Sequence, residues 1–145
     1  MMALMAIMVL CSAATCTVSG DDDDRFDNYD NEEQLAATSW KAVYFSDGYG
    51  WLDTEDYGCD FTITFFQNEY QATFTERVYD GRVSTRDHIY QGQYSAQYNT
   101  IHCYDGSSSN ESIRIDITRT GNGQMEATVN LVSIGERYTV RMLRK

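Results

Sequence analysis

The stretch ESIRIDITRTGNGQMEATVNL, residues 111–131, decides the fold. Its first limb alternates Ile113, Ile115 and Ile117 with Arg114, Asp116 and Thr118. Its second alternates Met125, Ala127, Val129 and Leu131 with Glu126, Thr128 and Asn130. A period of two held over both limbs marks strands with one buried and one wet face. Between them, Gly121, Asn122 and Gly123 tolerate the positive φ that a tight hairpin turn demands. The stretch is therefore an antiparallel hairpin.

The same alternation spreads outward in both directions. Downstream, residues 134–136 supply a turn, and residues 137–143 set Tyr138, Val140 and Met142 against Thr139 and Arg141. Upstream, residues 40–45 (WKAVYF) read as a first strand, followed by a glycine-rich, acidic loop over residues 46–58. Residues 59–66 (CDFTITFF) and 70–79 are joined by Gln67, Asn68 and Glu69, and Asp80-Gly81 is the next turn signal. Residues 82–95 are less regular, with a strand expected over HIYQGQY, residues 88–94, kinked at Gly92. A short strand over residues 99–104 closes on the polar loop 105–110. Before the first strand, residues 31–37 suggest a short helix with Asn31 as its N-cap.

That makes about eight strands joined by short connections, without a long helix. The expected fold is all-β, one antiparallel up-and-down eight-stranded barrel, lipocalin-like, which leaves no exposed sheet edge. The inward residues are mostly large, and the strands, at about 7 residues each, are short. Both features favour a filled core with a shallow cup at one mouth.

A chain of 145 residues with 42% hydrophobic residues has room for one domain with a real core. Its net charge of −11 is unevenly placed. Residues 21–33 hold eight acids and one Arg, whereas the 14 acids and 10 bases from Gln34 onward leave only −4. Without a sizeable basic patch, nucleic acid is not an expected partner. Residues 2–10 (MALMAIMVL) are an unbroken apolar run, too short to span a bilayer as a helix and suited to a secretory signal. The expected organisation is a signal peptide over 1–16 ending at Cys16, an acidic disordered linker over 17–33, and the barrel over 34–145. Cys16, after Ala13, Ala14 and Thr15, is the candidate lipidated residue, with Cys11 the alternative.

Trp40 at the start of strand one, the TITF strand followed by Asn68-Glu69-Tyr70, Gly92-x-Tyr94 with Ile101 seven residues on, and a basic last strand form one pattern. Over residues 35–145 it resembles the small lipocalin-like lipoproteins of Bacteroidetes. The Ser19-Gly20 and Asp21–Asp24 run resembles the acidic export tag of such surface lipoproteins. The resemblance implies the fold and an outer-membrane or cell-surface address, and it brings no set of functional residues.

Chemistry is harder to find. His88 and His102 lie in no metal or triad spacing, and no serine sits in a nucleophile-elbow pattern. Asp47, Asp53, Glu55, Asp56 and Asp60 share one region but not a calcium-loop spacing, so no metal and no cofactor are expected. Cys59 and Cys103 fall at the same end of an up-and-down barrel, and an exported protein can oxidise them. Three strand steps separate them, more than the ~4.4–6.8 Å Cα span of a disulfide unless loops fold across that end. The chain is expected to be a non-enzymatic monomer that binds a small hydrophobic or amphipathic ligand at its open end. The alternative is a protein-interaction module, such as a protease inhibitor or an accessory subunit of a surface complex, using loops 46–58 and 105–110. A deep cavity would favour the first reading, and a filled barrel with an ordered protrusion the second.

Overall fold

The computed structural model describes residues 32–145. The signal-like run, Cys11, Cys16, Asn31 and the four aspartates lie outside them. In chain order the described elements are α1 (Glu32–Leu35), β1 (Thr38–Ser46), β2 (Trp51–Asp53), α2 (Thr54–Tyr57), β3 (Cys59–Phe65) and β4 (Glu69–Tyr79). Then come β5 (Val83–Gln97), β6 (Thr100–Tyr104), β7 (Glu111–Gly121), β8 (Gln124–Leu131) and β9 (Glu136–Arg144).

Eight strands run antiparallel in sequence order from β1 through β3 to β9, and β9 pairs back onto β1 to close the ring. The expected up-and-down barrel is the fold. The short β2 is an addition: it pairs with β1 at Tyr44–Ser46, where β3 has already left that edge. The founding hairpin forms as read, with Asn122 at φ 51° and Gly123 at φ 73° between Gly121 and Gln124. Two successive positive φ values suit the right-handed twist of the flanking strands.

The alternation places Phe61, Ile63, Phe65, Ile113, Ile115, Val129, Leu131, Val140 and Met142 in one buried cluster. Trp40, Tyr70 and Phe74 are among its largest members, each at most 1% exposed. Interiors of this kind are close-packed, and here aromatic and branched side chains fill the barrel. The lower end is plugged by Leu35 and Trp40. The Thr38 hydroxyl donates to the Leu35 carbonyl at 2.6 Å and accepts from the Trp40 indole at 3.0 Å. Deeper in, the Tyr70 hydroxyl meets Ser112 Oγ at 2.6 Å, and Ser112 donates to the Cys103 carbonyl at 3.2 Å. This chain satisfies polar atoms that would be costly to bury alone.

Two regions differ from expectation. The loop over residues 46–58 is built, containing β2 and the single-turn α2, which ends at Gly58 with φ 81°. The irregular stretch over residues 82–95 belongs, from Val83 on, to β5, 15 residues long and the longest strand in the barrel.

Candidate functional site

The upper end carries the β1–β3 connection and the β8–β9 turn, with β4 and β5 running on beyond it, whereas Gly106 and Ser107 lie by Gln91–Gln93 of β5 beside the β3–β4 turn. The floor of the upper end is aromatic. Phe45 stacks on Tyr57 at 4.9 Å, Tyr138 stands edge-on to both, and Phe74 lies 4.9 Å from Tyr138. Offset and edge-to-face geometries are the favourable ones for aromatic rings. Burial pushes the Tyr138 and Tyr57 hydroxyls and the Cys59 thiol up, the last to about 11, with Glu136 adding to each shift. The mouth is thus sealed by packed rings, and its thiol is held protonated.

The two cysteines are free thiols in the structure. Cys103 faces the core and is fully buried, while Cys59 is half-buried at the top of β3. Neither neighbouring loop bridges the gap. The β1–β3 loop lies along β1, and Gly106 is bound to β5: its amide donates to the Gln91 carbonyl at 3.0 Å and its carbonyl accepts from the Gln93 amide at 3.1 Å.

The remaining sequence candidates occupy local structural roles. His88 Nε2 lies 3.0 Å from Glu76 Oε1, and His102 Nδ1 lies 2.6 Å from Glu111 Oε1. Asp47 Oδ1 accepts from the amides of Tyr49 and Gly50, which holds its carboxyl below the usual range. Asp53 caps α2 through the Asp56 amide, and Asp60 pairs with Lys41 at 3.5 Å. These acids act separately, and among the described residues no three of them converge as a metal site. One cleft lined by described residues, about 320 Å³, lies outside the barrel between Glu69, Gln71, Gln91, Gln93 and Ser107.

The feature that sequence reading missed is an arm. The β3–β4 ladder ends at Cys59–Glu76, but β4 and β5 stay paired up to Tyr79–Val83. One further bond holds β4 to that side, from the Arg77 amide to the Gly58 carbonyl at 2.8 Å, and from Val78 onward β4 is paired, among the described residues, with β5 alone. On its far side β5 meets β6 only from Tyr94 to Gln97 and Gly106 at Gly92. Among the described residues, nothing pairs with the β5 edge between Val83 and Tyr90. Two exposed apolar side chains ride on the tip of this arm, Tyr79 at 73% and Val83 at 65% exposed, and a third, Ile89 at 76%, stands at its base on the same open edge, where β3 still backs β4. An open strand edge is a template for another chain, and proteins ordinarily blunt or cover it.

Fold and site together define a closed antiparallel β-barrel with a filled interior and an open-edged arm. No family model matches the chain, and no curated protein or solved structure matches it either.

Proposed function

We propose that the chain is a non-enzymatic binding module whose barrel is a rigid scaffold and whose recognition surface is the β4–β5 arm. One observation carries this reading. The barrel is packed by side chains, while its longest strand projects an unpaired, apolar-studded edge. Strand addition at such an edge takes affinity from backbone hydrogen bonds and specificity from alternate side chains. The protein-interaction alternative is therefore preferred to capture of a small ligand in the barrel. The contact surface moves from the two loops to the arm. Its address is proposed from the leader: an exported lipoprotein held at the outer membrane through Cys16, with the acidic run as spacer. The mature lipid chains would anchor it firmly.

Capture from the native envelope with tagged protein tests the reading. The wild type is expected to retain a protein that a Tyr79→Ser, Val83→Ser, Ile89→Ser variant loses, because all three residues are exposed and outside the core. Retention that ignores the arm, or retention of small molecules alone, would overturn it. For the address, Cys16→Ala should move the protein from the membrane to the soluble fraction. Unchanged membrane retention would reject anchoring at Cys16.

A further inference from the structure

We infer that the occupant of the β5 edge is a second copy of this chain, paired antiparallel along residues 83–89 about a two-fold axis at Arg86. This deepens the reading above and rests on the arm being the recognition surface.

The backbone fixes which residues are available. Gln91 and Gln93 turn their backbone groups outward to Gly106. The β4–β5 ladder has no bulge from Glu69–Gln93 to Tyr79–Val83, so alternation sends the N–H and C=O of Val83, Thr85, Asp87 and Ile89 to the same open side. Ser84, Arg86 and His88 direct theirs to β4. A two-fold axis perpendicular to a sheet pairs odd residues with odd, so the outward-directed groups of the two copies meet.

Side chains choose among the registers. With Arg86 opposite Arg86 of the other copy, Val83 falls opposite Ile89 and Thr85 opposite Asp87. Tyr79 is already the neighbour of Val83 within the arm. The row across the joined sheet then reads Ile89, Val83 of the other copy, Tyr79 of the other copy, and it occurs twice. All three exposed apolar residues of the arm become contiguous. A shift of one pair in either direction sets Ile89 against Thr85 or Gly81 instead. Thr85 beside Asp87 repeats a contact the arm already makes, where the Thr75 hydroxyl donates to Asp87 at 2.8 Å.

Charge permits the approach. The barrel as a whole is acidic, but between Glu76 and Asp87 three acids meet three bases, a local balance of zero. The two Arg86 side chains at the axis are the one repulsive element, and each lies 3.6 Å from its own Glu76. The row therefore runs Glu76, Arg86, Arg86, Glu76, with each cation already held by its own anion. The pairing ends at Val83 opposite Ile89, short of Gly106. A two-stranded ribbon is only marginally stable in water, and this register lays the ribbon of each copy, Val83–Thr85 with Arg77–Tyr79, against the Asp87–Ile89 edge of the other, which β4 and β3 back.

The register dictates the test. Residues opposite each other at a non-hydrogen-bonded antiparallel site have Cα atoms about 4.5 Å apart, within disulfide range. In full-length chain with Cys11 and Cys16 replaced by Ser, Arg86→Cys should oxidise to a covalent dimer. Thr85→Cys, whose partner position is Asp87, should stay largely monomeric. Thr85→Pro removes a single N–H that points to the open side, so it should keep the barrel's circular dichroism and lose dimer in sedimentation. Arg86→Cys protein that is folded yet fails to cross-link, or cross-links no better than Thr85→Cys, overturns the self-pairing. If self-pairing fails while envelope capture still depends on Tyr79, Val83 and Ile89, the occupant is a different protein and the module reading stands. If both fail, the arm is not the recognition surface.

Discussion

Gly92 shows how one missing side chain shapes the barrel wall beside the β3–β4 turn. A Cβ there would lie 2.1 Å from the Tyr104 carbonyl oxygen and 2.6 Å from the Gly106 amide, both backbone atoms that cannot swing aside. The close approach lets residues 104–106 leave β6 and lie against β5. Gly92→Ala should cost about 1–3 kcal/mol through overpacking and strip Gly106 from the edge. A melting temperature within a degree of wild type would contradict this. Ile115 tests the interior instead. It is wholly buried, between Ile101 on β6 and Val129 on β8. Ile115→Asp places an unpaired charge there, at a cost above about 4 kcal/mol, and should leave the chain unfolded by near-ultraviolet circular dichroism. A cooperative transition at the wild-type temperature would show that the inward face is misassigned.

At the scale of elements, legibility followed burial. β7, β8 and β9 have one face on the core, so their apolar residues recur every second position and their bounds are close to those read from sequence. β3 and the lower part of β4 behave the same way. Residues 83–89 of β5 (VSTRDHI) are wet on nearly every side, so no apolar face marks the strand period. That stretch reads as irregular for the reason that makes it interesting: it pairs with β4 but, among the described residues, has no strand on its other side. β2 and α2 were hidden for a related reason. Neither buries a residue fully, and α2 is held by the Asp53 cap and Gly58, signals too short to stand out from a polar loop. Gly92 was visible as a kink, but its cause, a carbonyl from another strand, is tertiary. The candidate site therefore lay in the part of the chain where sequence periodicity carries least information.

The whole molecule has a pH limit on its alkaline side. Burial raises Tyr70 to about 12 and Cys59 to about 11, and it drives Cys103, Tyr138 and Tyr57 upward as well. Their ordinary values are 9.0 for the thiols and 10.0 for the phenols. All five hold their protons more tightly folded than unfolded. Their contribution is fully present below pH 9.0, the midpoint of the unfolded thiols, and is lost as pH rises through about 11 to 12. Melting temperature should be flat from neutrality to near pH 9.0 and fall steadily as pH rises from there through about 11 to 12. A curve unchanged up to pH 11 would show that the mouth and interior are far wetter than the packed structure.

The central claim is that a filled barrel presents one open strand edge for recognition, and residue-resolved amide hydrogen exchange addresses it most directly. In dilute protein, the amides of Arg86 and His88 should be protected by β4 while those of Thr85, Asp87 and Ile89 exchange freely. Raising the concentration, or adding a captured partner, should protect the second set without altering the first. Equal protection of both sets at high dilution would mean that the chain already covers its own edge, and the account would be wrong.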